Sequence, residues 1–271
     1  MTSQYITGQD GGTGTEAAGR VADVLLQFAG GPAQLGVSEI SRNLGLSKAV
    51  VYRILQSLVS RHMLTAGTRT GGYRLGPAAV AIGATALSRF DARAAARPVL
   101  RRLRDETGET TTLSSLVGDQ RVYVEQFESP REIKMTVEIG RRFPLHAGAS
   151  GKVILAHLSA EAREAVLAGP LPSLTERTVH TEGQLRQELA DIAAAGVAVT
   201  VGERQSGSGS VAAPLFGPDE SVCGAISVCG PDYRFTDAEC GRYQELVTTA
   251  ADEISRSESW LGETHAARRK G

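Results

Sequence analysis

Cysteine is scarce and odd in number: Cys223, Cys229 and Cys240 are all the chain has. Three thiols cannot complete a disulfide framework, and their spacing fits no metal-ligand pattern, so reduced, buried thiols are expected. No apolar run approaches the length of a membrane span, and the N-terminus has no charged-then-apolar leader pattern; a cytoplasmic protein is expected. Catalytic signatures are missing too. There is no G-x-S-x-G elbow and no His-Glu-x-x-His helix. Gly151-Lys152 has the end of a phosphate-binding P-loop, but that motif needs Gly at 146 and Ser or Thr at 153, where this chain has His146 and Val153. His146 reads as a packed loop residue and His157 as an ordinary helix position. No enzymatic activity, cofactor or metal is expected.

Excess charge of either sign is also lacking, since the formal net charge is only −1. Its distribution is uneven. Arg20–Gly76 holds seven basic residues against two acidic, and 77–104 holds six against one. From Asp105 onward the balance is 16 basic to 25 acidic. A basic N-terminal third on an acidic remainder fits one domain for phosphates and another for a different task.

Within the basic third, residues 36–76 carry the clearest pattern. A short helix, read as capped by Ser38, turns Ile40 and Leu44 inward and stops at Gly45. Ser47 caps a second helix, read as running through His62, with Val51, Leu55 and Leu58 on one face. The opposite face offers Ser47, Lys48, Ala49, Tyr52, Arg53 and Gln56. Two helices joined by a glycine turn, the second basic at its start, form a helix-turn-helix. Met63–Thr65 and Gly72–Leu75 then read as a hairpin wing, with Arg69 at its tip and Arg74 on a strand, both placed for phosphate. An earlier helix from Thr15 to Ala29, apolar at Val21, Val24, Leu25 and Phe28, supplies the scaffold.

Beyond the wing, Pro77 opens a helix with Val80, Ile82, Gly83 and Leu87 as its apolar side, and Asp91 opens another to Thr107. Arg89, Arg93, Arg97 and Arg101 recur every four residues, either as a solvated face or as a face toward DNA or a partner subunit. From Thr110 the period becomes two. Strands are expected at 110–117, 121–128, 133–137, 197–201, 211–214 and 222–229. Helices are expected at 150–158, 160–167 and 182–195, the last with a capping box from Thr181, and from Thr236 to about Leu261. Hairpin-connected strands with interleaved helices give an α+β domain on an antiparallel sheet. The expected organisation is a disordered tail at 1–14, a winged helix-turn-helix at 15–76, a linker helix at 77–90, a second domain at 91–262 and a basic tail at 263–271.

Two stretches rich in small residues mark that second domain. Pro144-Leu-His-Ala-Gly-Ala-Ser-Gly-Lys152 leads into a helix, and Ser206–Pro214 pairs with Gly224–Pro231. A small-residue loop entering a helix points bare amides at an anion, and a carboxylate suits it.

LGVSEISRNLGLSKAVVYRILQSLVSRHML followed by YRLGPAAVAIG resembles the DNA-binding domain of the IclR family of bacterial transcription regulators. GRRFPLHAGASGKVILAHL and GSVAAPLFGPDESVCGAISVCGP are similar to the same family's effector domain, so the likeness spans about 17–261. It implies a winged helix-turn-helix, a linker helix and a profilin-like, GAF-related effector-binding domain. It also implies a homodimer or dimer of dimers on double-stranded operator DNA, with a small-molecule effector. Carried onto this chain, Ala149 and Ser150 supply turn amides, and Thr200, Ser210, Ser227 and Cys229 are the strand positions; the rest of the effector is expected to lie against Val211 and Ile226. Cys229 stands where the family commonly has a serine hydroxyl, and Thr200 where it often has an acid, which favours an effector larger or less polar than a simple keto acid. Ala49-Val50 replaces a frequent Ser-Thr pair, so apolar contacts to thymine methyls are expected there. A repressor modulated by a small organic acid, aromatic acids included, is the leading reading. Its rival is a sensor or enzyme whose helix-turn-helix serves protein contacts, and the charge partition speaks against it.

Overall fold

The computed structural model describes residues 15–29, 32, 34–67, 72–89 and 91–257, without the side chains of 84–89, 91 and 92. Both expected tails, Arg69 and the Leu87, Arg89 and Asp91 side chains therefore lie outside the described residues. The chain divides into two compact units after Arg89.

The first unit holds α1 (Glu16–Leu26), α2 (Val37–Leu44), α3 (Lys48–Ser60), β1 (Leu64–Ala66), β2 (Tyr73–Leu75) and α4 (Pro77–Arg89). Val24, Phe28, Ile40, Val51, Leu55, Leu58, Leu64 and Tyr73 share one core. Each large aliphatic side chain so buried contributes ~1.5–3 kcal/mol. Gly45 ends α2 with φ +65°, a conformation that glycine adopts without strain. Ser41 Oγ donates to Leu46 O at 2.6 Å and fastens the turn that follows. Ser38 does not cap α2. The helix starts one residue earlier, with Gly36 as its extended cap, so Ser38 already has helical backbone. The second helix ends at Ser60 rather than His62, because His62 has φ +57°. β1 and β2 pair antiparallel, Thr65 opposite Arg74, and an isolated bridge adds Leu35 to Tyr73.

The second unit begins with α5 (Asp91–Thr107), β3 (Thr110–Val117), β4 (Gln120–Phe127) and β5 (Arg142–Pro144). Then come α6 (Ala149–His157), α7 (Ala160–Leu167), α8 (Glu182–Ala195), β6 (Ala198–Val201), β7 (Ser208–Phe216), β8 (Val222–Pro231) and α9 (Asp237–Arg256). The six strands form one antiparallel sheet in the order β5-β4-β3-β8-β7-β6. Period two splits its side chains between two cores. Leu113, Val211, Ile226 and Val228 pack with α5 and α9. Ala198, Ala212 and Ala225 pack with α6, α7 and α8. The architecture is thus α+β, with helices on both faces of an antiparallel sheet.

Several sequence expectations change here. Residues 133–137 form no strand. Gln126 holds that stretch with its side-chain amide instead, donating to Val137 O and accepting from Val137 N at 3.0 Å each. The edge strand is β5, too short to carry a period. Thr181 makes no side-chain cap on α8, whereas Thr236 caps α9 through Glu239 N. In the arginine stripe, Arg93 and Arg97 both pair with Glu125 of β4, and Arg97 and Arg101, both exposed, lie over the Phe127 ring. All three cysteines are free, with Cys229 and Cys240 buried. No helix among the described residues is long and apolar enough to cross a membrane.

Candidate functional site

In the first unit, Ser47 accepts from Val50 N at 3.4 Å and starts α3. Burying Val51, Leu55 and Leu58 leaves Ser47, Lys48, Ala49, Tyr52 and Arg53 exposed on one continuous face, with Val50 half-buried at its edge. Arg74 is exposed on the wing. Lys48, Arg53 and Arg74 have no ion-pair partner among the described residues, so their charge is available to phosphate. Gln56, read from sequence with this face, instead donates to Tyr73 Oη at 3.1 Å and holds α3 to the wing. Ser38 is exposed on α2.

In the second unit, one cleft gathers residues from distant stretches. Arg121 and Tyr123 come from β4, Met135 from the strap after it, and Gly148, Ala149 and Ser150 from the start of α6. Thr200 and Arg204 lie on and after β6, Ser208–Ser210 open β7, and Cys229 is on β8. The cavity measures about 20 Å³, room for a water-sized group, so anything much larger must extend toward the mouth. Five of the six residues expected from sequence to hold an effector line it.

The sixth does not. Ser227 sits two positions along β8 from Cys229, on the same face but under α6, 1% exposed and bonded to Thr112 Oγ1 at 2.7 Å. Val211 and Ile226 point to the opposite face, into the α5/α9 core, and cannot wall the cleft. The helix-start amides are also less free than the loop implied. Ala149 N donates to Thr200 Oγ1 at 3.0 Å, and Gly148 N to Glu203 Oε2 at 3.2 Å. Glu203 in turn receives Lys152 Nζ at 2.6 Å, and Lys152 also pairs with Glu188. Lys152 is therefore an internal cation inside an acidic clamp. Burial pushes the Glu203 carboxyl above its usual range despite that lysine.

Arg121 and Arg204 went unnoticed in the sequence. Arg121 is 1% exposed, and its one side-chain hydrogen bond among the described residues goes from Nη1 to Ser114 Oγ at 3.2 Å. Its buried Nε has no hydrogen-bond partner among the described residues. The guanidinium carbon lies 4.6 Å from the Tyr123 ring centroid and 5.3 Å from that of Phe143. Arg204 reaches the same pair, 5.1 Å from Phe143 and 5.9 Å from Tyr123. Among the described residues, no acidic side chain lines the cleft. Period-two reading at 121, 123 and 125 would have put Arg121 and Tyr123 on one face, but only the register to β3 shows that this face is covered.

A winged helix-turn-helix with an unpaired cationic face, followed by a sheet domain with a small cleft, defines a DNA-binding regulator that carries its own effector domain. Comparison with known proteins agrees. Residues 17–66 match the IclR helix-turn-helix domain, and 84–256 match the bacterial transcriptional regulator IclR C-terminal domain. The chain belongs to the IclR family of transcriptional regulators. It is 31% identical to the HTH-type transcriptional regulator BhcR of Paracoccus denitrificans, covering 92% of this chain and 91% of that one. It is 34% identical to the glycerol operon regulatory protein of Streptomyces griseus, covering 86% and 91%. Among solved structures, a putative IclR regulator from Silicibacter sp. TM1040 superposes with a TM-score of 0.82 at 31% identity, covering 88% and 94%. An IclR homologue from Microbacterium hydrocarbonoxydans complexed with 4-hydroxybenzoate gives 0.70 at 26% identity, covering 89% and 100%. These relatives are named as regulators, not enzymes, which leaves the rival enzyme reading without support.

Proposed function

We propose that this protein is a repressor that binds operator DNA as a homodimer or dimer of dimers, and that a small organic acid in the cleft changes its hold on that DNA. The observation that carries the effector class is Arg121. A guanidinium taken out of water costs several kcal/mol unless a counter-charge meets it. Here two rings and one serine attend it, and no carboxylate does. An acid entering the cleft completes it with charge-assisted bonds. The aromatic acid held by the Microbacterium relative fits this class. Ser150, Ser210 and Cys229 are placed to add polar contacts, Cys229 as the weakest donor, its thiol pushed up by burial to about 11. Repression is the expected sense because a dimer seated on a promoter obstructs polymerase without further contacts.

The test is a gel shift with DNA from upstream of the protein's own gene, at fixed salt, followed by titration of organic acids. Specific retardation that an acid reverses, with transcription from that promoter reduced by the protein alone, is the expected result. Binding no tighter than to unrelated DNA, or increased transcription, overturns the corresponding part of the reading.

A further inference from the structure

We infer that the cleft is built for an acid with two negative charges: Arg121 takes one acidic group at the buried end and Arg204 takes the second nearer the mouth. The inference rests on the cleft being the effector site and goes further in fixing the charge of the ligand.

Both guanidinium carbons lie within 5.9 Å of the Tyr123 centroid, so one short molecule can reach both. Arg121 keeps four of its five N–H donors without a side-chain partner among the described residues, including the buried Nε. Arg204 is half-buried and has neither a hydrogen bond nor an ion pair among the described residues. Its position is held from below, since a Cβ on Gly148 would meet Arg204 Cβ at 3.2 Å. The twelve residues lining the cleft thus bring two positive charges and no negative one. The nearby acid, Glu203, is committed to Lys152 and the Gly148 amide. A monoanion would leave one guanidinium facing a like charge, whereas a dianion neutralises both. Tyr123 and Phe143 pack edge to face at 5.4 Å, and both guanidinium groups lie over this ring pair. Carboxylate and phosphate both satisfy that geometry, so the shared requirement is two anionic groups on a short scaffold.

The experiment uses the full chain and calorimetric titration with succinate, glutarate, butyrate, benzoate and 2-phosphoglycolate, on wild type, Arg204→Gln and Arg121→Gln. At least one dianion is expected to bind wild type roughly tenfold or more tightly than butyrate or benzoate. Succinate or glutarate as the tight binder identifies a dicarboxylate site, and phosphoglycolate alone a phospho-acid site; either supports the inference. In Arg204→Gln that preference should collapse while monoacid affinity stays within about twofold. Arg121→Gln should lose every acid, with operator binding showing that the chain still folds; if it does not fold, Arg204→Gln decides alone. Equal affinity for monoacids and dianions in wild type, or an unchanged ratio in Arg204→Gln, overturns the two-charge inference and leaves the organic-acid reading standing. Operator binding with no affinity for any of the five acids overturns both.

Discussion

The main-chain N–H of Ala149 donates to Thr200 Oγ1 at 3.0 Å, so two residues that the sequence offers to a ligand satisfy one another. The bond fastens the start of α6 to β6 and shapes the cleft floor. Thr200→Val keeps the volume and orphans a buried amide, at a cost of about 1–3 kcal/mol. For a domain of this size that lowers Tm by about 2–4 °C per kcal/mol. Thr200→Ser should retain most of the stability. Thermal unfolding of the three proteins checks this, and a Thr200→Val melting point equal to wild type would show the bond to be dispensable.

Gly151 supplies a second test of how that loop is built. A Cβ there would lie 2.6 Å from the Leu145 carbonyl oxygen, a backbone atom with nowhere to go. Gly151→Ala should therefore destabilise by about 1–3 kcal/mol, as overpacking does. Gly183, in the first turn of α8, has nothing within 4 Å of its would-be Cβ. Gly183→Ala should be neutral or stabilising by up to about 1 kcal/mol. Urea unfolding of both variants gives the comparison, and similar losses at the two sites would refute it.

These two glycines also show what a sequence can and cannot disclose. Local rules work where the partner is local: Ser47 caps the helix it precedes, Gly45 ends the one before it, and the limits of α7 and α8 follow from apolar spacing. They fail where the partner arrives from far along the chain. The pairing of Arg93 and Arg97 with Glu125 is not legible locally, because Glu125 is about 30 residues away. Ser227 looked available because its Thr112 partner is 115 residues distant. Arg121 was silent for the same reason: alternation places it on a face, and only the sheet register reveals that the face is roofed.

For the DNA-binding unit, Arg53 and Lys48 differ in the expected readout. Arg53→Ala should weaken operator binding by about 1–3 kcal/mol if its side chain reads a base, and should relax sequence preference at that position. Lys48→Ala, as a phosphate contact, should weaken all sequences alike and reduce the salt slope by about one. Anisotropy titrations across several salt concentrations separate the two. Affinity and slope unchanged for either variant would remove that residue from the interface.

Assembly follows from how little one helix-turn-helix reads. Specific affinity needs two copies on a pseudo-palindromic operator. On α4, Val80 and Ile82 are 67% and 61% exposed, apolar side chains on different sides of the helix, either of which a second copy would cover. Sedimentation at micromolar concentration should give a dimer or larger, and Val80→Asp with Ile82→Asp should shift it toward monomer and weaken operator binding. A wild-type monomer both with and without DNA would overturn the dimer.

The last expectation concerns acid. His146 is 1% exposed, and its Nε2 meets Pro172 O at 2.9 Å, which requires the ring proton to sit on that nitrogen. Burial disfavours a second proton, and the Lys152 ammonium and His180 oppose it further, so the imidazole titrates below its usual value despite the Pro172 bond. A unit or more above the ordinary value of about 6.5, the ring is neutral in both folded and unfolded chains and contributes no pH dependence. Below it, the unfolded chain accepts a proton that the folded chain refuses, so stability falls as pH falls until the folded ring also protonates. Glu203 acts in the other sense at lower pH. Its raised pKa means the folded chain binds the extra proton, so its contribution falls as pH rises from the unfolded toward the folded value. The difference between wild type and His146→Gln isolates the histidine, because glutamine can still donate to Pro172 O and does not titrate. That difference in Tm should be flat a unit or more above pH about 6.5 and should move against the wild type on acidification through and below it. Parallel Tm profiles for the two proteins from neutral pH into the acid range would show that His146 takes its second proton as readily folded as unfolded.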